Sequence, residues 1–214
     1  AEQVGPITFL RPAEPMDRAA ARAALGLEGE GRVALVQLGA GNINDTSSLL
    51  GTVVRVLRAP DPDLTVCVTR SAIAASGDVP EGVRAISYYP LARVFAAFDV
   101  AVAAPGYNTF HELLLAGLPT GFLPNRDTAT DDQVARARWA ASRALAVELT
   151  GEDPATLEAE LGALLRDLAP MRARLEAEVV WDDGAVAAAA RIADLVRSEA
   201  AAPVGAGGGT SERR

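Results

Sequence analysis

Three polar stretches of this sequence, two of which contain glycine, could bind an anion or a sugar. The first is 38–46, LGAGNINDT, where Gly39, Gly41 and Asn42 stand just before a helical pattern. Glycine lets a backbone approach a ligand closely, and the N–H groups of a helix N-terminus attract anions. The third glycine of a dinucleotide-binding loop and the lysine of a P-loop are both missing. The stretch predicts either an anion site or a tight turn from strand to helix without a ligand.

The second stretch is 104–112, APGYNTFHE. Gly106, Asn108 and Thr109 open a helix and so offer a second set of N–H groups to an anion. Glu112 lies three residues after Thr109 on the same helix face, where a carboxylate could accept hydrogen bonds from a ribose diol. The alternative is a T-x-x-E capping box, in which Glu112 satisfies N–H groups of its own helix.

The third stretch, 124–133, and two tyrosines could recognise a sugar or a base. Within this stretch, Asp132 and Gln133 open a helix after Pro-Asn-Arg at 124–126, and a carboxylate beside a carboxamide suits sugar hydroxyls. The alternative is an acidic helix start that the helix dipole stabilises. Tyr88 and Tyr89 follow a strand pattern, so one of them could stack on a base or simply line the edge of the core.

The remaining reactive residues have more ordinary interpretations. His111 is the only histidine, and its place on a helix beside Glu112 favours a packing or surface role over catalysis. Asp61 and Asp63 flank a proline and predict a turn rather than a metal site. Cys67 lies in the middle of a strand pattern and is expected to be a small buried hydrophobe.

Strand and helix patterns alternate along the chain. Strands are predicted at 33–38, 64–69, 83–87, 99–103, 120–123 and 144–148, and helices at 17–26, 46–57, 91–98, 107–116, 131–142, 154–168, 170–180 and 184–199. Continuous apolar strands between helices are typical of a parallel sheet buried on both faces. The fold class is therefore α/β, a doubly wound, Rossmann-like parallel sheet of about six strands. In such sheets ligands bind beyond the carboxyl ends of the strands, which here means the loops 39–46, 70–76, 88–91, 104–109 and 124–133.

The pattern divides the chain into three parts. Residues 1–16 are expected to be a linker or lead-in, 17–200 the Rossmann-like domain, and 201–214 a disordered, glycine-rich tail.

Composition excludes several functions. The net charge is −8 in 214 residues, which argues against a nucleic-acid partner. Without an apolar run of membrane-spanning length or a signal peptide, we expect no membrane span and a cytoplasmic location. With one cysteine and one histidine, no metal site is expected. The sequence has no lysine, so phosphate recognition must come from helix N-termini, backbone N–H groups and Arg70 or Arg126.

In combination these residues resemble the C-terminal, donor-binding half of GT-B-fold glycosyltransferases. The similarity is strongest to the group that contains the MurG-type N-acetylglucosaminyltransferases and the plastid galactolipid synthases, and it runs from 4–7 (VGPI) to about Arg143. The residues that carry it most clearly are Asp99, Gly106, Thr109, Glu112, Gly117-Leu118-Pro119, Pro124, Asp132-Gln133 and Arg136-Ala137.

The resemblance implies a role for each candidate. Gly106, Asn108 and Thr109 would lie near the donor diphosphate, Glu112 would bind the ribose, and Asp132 and Gln133 would bind the transferred sugar. Tyr88, or Tyr89, would contact the base, and the loop with Gly39, Gly41 and Asn42 would face the interdomain cleft. The implied substrate is a nucleotide sugar, with UDP favoured, and no metal or other cofactor is required.

The resemblance also implies what lies elsewhere. The catalytic base is unknown here, because in GT-B enzymes the base and the acceptor usually belong to an N-terminal domain, in cis or in trans. The sequence departs from relatives at Ala104, where UDP-glycosyltransferases have histidine, and at Asp132, where MurG-like enzymes have histidine. A non-catalytic nucleotide-sugar-binding subunit or sensor and a UDP-sugar 2-epimerase remain alternatives. Such epimerases carry Gly-Gly-x-x-Glu-Glu at the corresponding helix.

Overall fold

The structure of the chain is a computed structural model that describes residues 3–8, 15–27, 29, 31–38, 46–69, 82–126, 131–151, 153–180 and 184–201. The predicted site residues Gly39, Gly41 and Asn42 lie outside the described residues, as do Arg70 and 202–214.

Six parallel strands form one sheet, as the sequence predicts. They are β1 (Val33–Gln37), β2 (Thr65–Thr69), β3 (Arg84–Ile86), β4 (Val100–Ala103), β5 (Thr120–Phe122) and β6 (Val147–Glu148). Their order in the sheet is β3-β2-β1-β4-β5-β6, with every neighbouring pair parallel. This is the strand order of a Rossmann-like, doubly wound fold.

Helices connect the strands. They are α1 (Arg18–Ala24), α2 (Thr46–Arg58), a 3-10 helix (Leu91–Ala97), α3 (Tyr107–Leu115), α4 (Gln133–Ala141), α5 (Pro154–Arg166), α6 (Leu168–Glu178) and α7 (Gly184–Ala201). Among the described helices, none has both the length and the apolar character needed to cross a bilayer.

Most elements differ from the predicted bounds by one or two residues, and three of the differences are described here. The segment predicted as a helix at 91–98 is a 3-10 helix, Leu91–Ala97, with Phe98 as its C-cap. The helix predicted at 131–142 begins at Gln133, because Asp132 has φ −74° and ψ 77°, which are not helical, and its side chain caps the helix. The strand predicted at 144–148 is only Val147–Glu148, and Ala144 is excluded from it by its φ of +53°.

The core consists of apolar strands covered by helices. Val100, Ala101, Val102 and Ala103 are all buried, so β4 has no solvent-facing side. Gly117 has φ +64°, a left-handed conformation that glycine adopts without strain, and it turns the chain from α3 into β5. This short turn fixes α3 against the sheet.

Asp99 anchors the amino end of β4. Its carboxylate accepts two hydrogen bonds from Arg18, at 2.8 and 3.0 Å, and one of 2.8 Å from the backbone N–H of Val33. Arg22, which is buried, lies 3.6 Å from the same carboxylate. Asp99 therefore ties α1, β1 and β4 together at the edge of the sheet opposite the predicted ligand site.

Two compact units divide the chain. One contains Thr8–Trp181 and holds the sheet, and the other contains Ala1–Ile7 and Asp182–Arg214. Within the second unit, the backbone N–H of Gly184 donates to the carbonyl of Pro6 at 3.1 Å.

Candidate functional site

The strand order reverses between β1 and β4. At such a point the connections of an open parallel sheet diverge and leave a crevice at its carboxyl edge. Gln37 pairs with Ala103 at this edge, and the N–H of Ala104 donates to the carbonyl of Gln37 at 2.9 Å. The chain after β4 therefore leaves the sheet directly at the crevice, as the sequence predicts for 104–109.

Helix α3 begins at the crevice with Gly106 as its N-cap. Gly106 has φ −59° and ψ 155°, its carbonyl accepts from the N–H of Phe110 at 2.8 Å, and no side chain caps the helix. The N–H groups in the first turn of a helix have no partner inside that helix. A Cβ built on Gly106 would meet no heavy atom of the described residues within 4 Å, so these residues leave the space around the helix start open.

Asn108 and Thr109 lie in this first turn. Asn108 is exposed and Thr109 is half-buried. The hydroxyl of Thr109 is 3.5 Å from Nε2 of Gln37, which donates to it. The structure thus places the end of β1 and the start of α3 in contact.

Gln37 is a candidate site residue that the sequence patterns did not predict. Its Oε1 is buried and has no hydrogen-bond partner among the described residues. Buried polar atoms are nearly always paired, so an unpaired one at a ligand crevice is a candidate ligand contact. The signal that the sequence offers for Gln37 is a carboxamide residue at the end of an otherwise apolar strand, VALVQ.

Glu112 has 9% of its surface exposed, which is unusual for a carboxylate. The capping-box alternative is wrong, because the N-cap is Gly106 and Thr109 is the third residue of the helix. Glu112 follows one turn later on the face that carries Thr109.

Asp132 and Gln133, which the sequence predicts to contact a sugar, form hydrogen bonds at the start of α4. Asp132 accepts from the N–H of Ala135 at 2.9 Å, so the helix-start role that the sequence left open is observed. Oε1 of Gln133 accepts from the N–H of Asn125 at 3.0 Å, and its Nε2 donates to Asp131 at 3.1 Å. Both residues therefore already serve the fold.

Arg136 joins the start of α4 to the start of α3. Its Nε donates to the carbonyl of Pro105 at 2.8 Å, and its guanidinium pairs with Asp131. Burial raises the pKa of Asp131, but hydrogen bonds from Arg136 and Gln133 and the charge of Arg136 outweigh it, so the net pKa is lowered. The start of α4 is therefore in contact with the stretch 104–112.

The two tyrosines after β3 differ in exposure. Tyr88 is half-buried, packs against the core and directs its hydroxyl toward Sδ of Met16 at 4.0 Å. Tyr89 is 79% exposed. The ring of Tyr89 is therefore the more accessible surface for a base.

His111 packs within α3. Its Nδ1 donates to the carbonyl of Tyr107 at 2.8 Å, and its ring lies 4.4 Å from the ring of Tyr107 and 5.1 Å from that of Phe110. Burial lowers the pKa of His111, the hydrogen bond to Tyr107 raises it, and the charge of Arg136 lowers it further; the net pKa lies below the usual 6.5. These contacts agree with the packing role expected from the sequence.

The other reactive residues take their ordinary roles. Cys67 is fully buried, and burial raises the pKa of its thiol to about 11 despite the nearby charge of Arg84. Asp61 lies in a turn and pairs with Nε of Arg32 at 2.8 Å. Within the described ranges, no three His, Cys, Asp or Glu residues group as metal ligands.

Comparison with known sequences identifies relatives. No protein-family model matches the chain. UDP-N-acetylglucosamine--N-acetylmuramyl-(pentapeptide) pyrophosphoryl-undecaprenol N-acetylglucosamine transferase of Symbiobacterium thermophilum is 31% identical over 191 residues, covering 84% of this chain and 50% of the relative. The transferase of the same name from Salinibacter ruber is 33% identical over 170 residues, covering 74% and 43%. The chain therefore spans about half the length of these relatives.

Solved structures show the same fold. Spinosyn rhamnosyltransferase SpnG complexed with thymidine diphosphate superposes with a TM-score of 0.61 at 21% identity, covering 89% of this chain and 52% of that one. Glycosyltransferase VinC in complex with dTDP gives a TM-score of 0.57 at 24% identity, with 92% and 48% covered. The chain is similar in sequence to MurG-type N-acetylglucosamine transferases and similar in fold to glycosyltransferases of known structure. The correspondence fits a C-terminal GT-B domain, as the sequence resemblance implied.

The structure brings the candidate residues into two groups. The first group is at the crevice between β1 and β4, where Gln37 contacts the first turn of α3. The second is at the start of α4, which Arg136 holds against Pro105. Tyr88 and Tyr89 follow β3, two strands away from β1.

Proposed function

We propose that the chain binds a nucleoside diphosphate sugar, with UDP as the nucleotide, and is the donor-binding part of a glycosyltransferase. The observation that carries the proposal is the start of α3, which lies at the reversal of strand order with open space around its N-cap glycine, Gly106. This is the place where doubly wound sheets bind phosphorylated ligands.

The diphosphate would bind at the first turn of α3. The N–H groups at a helix N-terminus carry partial positive charge and attract phosphate. This local field explains how a protein of net charge −8 and no lysine could hold a dianion. Asn108 and Thr109 add an amide and a hydroxyl to the same turn.

The ribose and the sugar would extend from the diphosphate in opposite directions. Glu112 offers a carboxylate to the ribose hydroxyls from the face of α3 that carries Thr109. Asp132 and Gln133, at the start of α4, offer acceptors and a donor to the transferred sugar. Their hydrogen bonds to Ala135, Asn125 and Asp131 use only part of their capacity and hold them in place.

UDP is the preferred nucleotide because the names of the sequence relatives, at 31% and 33% identity, specify UDP-N-acetylglucosamine. The two solved structures hold thymidine diphosphate, but their identities are only 21% and 24%. The transferred group would be a hexosyl or N-acetylhexosaminyl group, and the names of the same relatives support the second of these.

Transfer requires stabilisation of the departing diphosphate. The preorganised N–H groups of α3 would supply it, and these dipoles need no metal ion to act. The base and the acceptor would come from an N-terminal domain, in cis or in trans. The 214-residue chain would therefore bind the donor without transferring the sugar at an enzymatic rate.

The test is a binding series with the chain. UDP, dTDP and GDP are titrated calorimetrically, with and without EDTA, and UDP is expected to bind most tightly whether or not metal is removed. A set of three nucleotides that all fail to bind would remove the proposal. Sugar transfer by the isolated chain at a rate typical of an intact transferase would contradict the assignment of the base to another domain.

A further inference from the structure

The side chain of Gln37 joins the two parts of the crevice. Gln37 is the last residue of β1, and its carbonyl accepts from Ala104 at 2.9 Å while its Nε2 donates to Thr109 at 3.5 Å. One end of the carboxamide is thus directed to the first turn of α3. The other end, Oε1, is buried and meets no donor among the described residues.

The chemistry of Oε1 restricts its partner. A carboxamide oxygen only accepts hydrogen bonds, and it needs a donor when it is buried. The oxygens of a diphosphate carry no hydrogen at neutral pH, so they cannot satisfy it. A hydroxyl group can, and a nucleotide sugar has hydroxyls on both sides of its diphosphate.

The base is too distant to supply the donor. The residues proposed to contact it, Tyr88 or Tyr89, follow β3, which is two strands from β1. Neighbouring strands lie about 4.8 Å apart, so this separation is about 10 Å. In the proposed binding mode, the ligand groups nearest to Gln37 are those that flank the diphosphate at α3.

We propose that Gln37 determines specificity in the donor site by accepting, through Oε1, a hydrogen bond from a hydroxyl of the bound nucleotide sugar. The inference rests on the proposed function. It adds a residue that recognises a hydroxyl group of the ligand, next to the helix proposed to bind the diphosphate. The hydroxyl belongs either to the ribose or to the transferred sugar.

The test compares Gln37→Met with the wild type. Methionine keeps the length of the side chain but removes both polar ends, and Gln3→Met is the matched control at an exposed glutamine. Calorimetry measures the affinities for UDP, UDP-N-acetylglucosamine, 2′-deoxy-UDP and 3′-deoxy-UDP. We expect Gln37→Met to weaken UDP-N-acetylglucosamine about tenfold, as the loss of one hydrogen bond would, and Gln3→Met to change nothing.

The ligand series identifies the hydroxyl. If it is a ribose hydroxyl, Gln37→Met weakens UDP and UDP-N-acetylglucosamine equally and leaves the matching deoxy-UDP unaffected. If it belongs to the sugar, only UDP-N-acetylglucosamine is weakened. Equal weakening of all four ligands would mean that Gln37 merely positions Thr109, and it overturns the proposal.

The stability of the unliganded chain provides a second measurement. Gln37→Met removes the unpaired buried acceptor together with the 3.5 Å hydrogen bond to Thr109, and these two changes have opposite effects on stability, so the thermal midpoint should change little. A clearly lower midpoint with unchanged affinities would show that Gln37 serves only the fold, and it overturns the proposal. Gln37→Leu repeats the comparison if the methionine variant does not fold. The wild-type protein separates the two proposals. If it does not bind UDP, the proposed function is wrong. If it binds UDP and Gln37→Met has unchanged affinities, only the role of Gln37 is wrong.

Discussion

Gly106→Ala separates the needs of the fold from those of the ligand. The backbone angles of Gly106, φ −59° and ψ 155°, are ordinary for alanine, and a Cβ there would meet no heavy atom of the described residues within 4 Å. Within the described part of the chain, neither backbone strain nor a steric clash requires glycine at this position. A phosphate bound at the start of α3 does require it, because the added methyl group would occupy the space through which the phosphate approaches.

The substitution should leave the stability of the unliganded chain almost unchanged. Alanine restricts the unfolded chain, which raises the free energy of unfolding by about 0.4–1 kcal/mol, but it is a poorer N-cap than glycine, which lowers that free energy by a comparable amount. At roughly 2–4 °C per kcal/mol for a chain of this size, the midpoint without ligand should move by no more than about 2 °C. For a ligand at 100 times its Kd, binding adds about 2.7 kcal/mol of stability. A tenfold loss of affinity reduces this to about 1.4 kcal/mol.

The assay is thermal unfolding with and without UDP, supported by calorimetric titration. Gly31→Ala is the control, because its Cβ would also meet no heavy atom of the described residues within 4 Å, but it lies just before β1, at the opposite edge of the sheet. Both variants should fold with nearly the stability of the wild type, and only Gly106→Ala should lose affinity for UDP. Unchanged affinity in Gly106→Ala would refute the placement of the diphosphate at α3.

Three further substitutions test other parts of the reasoning. Glu112→Gln should weaken UDP by about 1.5–3 kcal/mol in calorimetry, because a ribose diol would lose a charged acceptor, and an unchanged Kd would remove Glu112 from the site. Asp99→Asn should lower the free energy of unfolding by about 1.5–3 kcal/mol in urea while leaving the Kd for UDP unchanged, because Asp99 binds Arg18 and Val33 at the opposite edge. The lowered pKa of His111 means that the unfolded chain binds a proton more readily, so stability should fall as the pH drops below 6.5. In His111→Gln this decline should disappear from urea titrations at pH 5 to 7, and its persistence would contradict the assignment.

The sheet could be predicted because its signal is local. Runs such as VALVQ and VAVA are apolar and of strand length, and the helices between them force parallel pairing. The edge strand β6 was predicted too long because the left-handed conformation of Ala144 comes from the way the chain leaves α4 and not from the residue type. A pattern of apolar residues carries no information about such a turn.

The site was predictable where a backbone feature creates it. Gly106 and Thr109 stand at a strand-to-helix junction, and the chain order alone places that junction at the carboxyl edge of the sheet. Gln37 was not predictable in this way, because its importance depends on Thr109, which is 72 residues distant in sequence. The missing partner of Oε1 becomes visible only when the strands and α3 are in place.

The start of α4 shows why fold and function need not compete for the same residues. Asp132 and Gln133 were assigned either to the sugar or to the helix, and the structure uses them for the helix. A side chain that caps a helix or bridges a loop has one rotamer, and a fixed rotamer is what a ligand contact needs. Arg136 extends the same principle, because its bond to Pro105 sets where α3 begins relative to α4. The two ends of a nucleotide sugar would then meet surfaces whose separation is fixed before the ligand arrives.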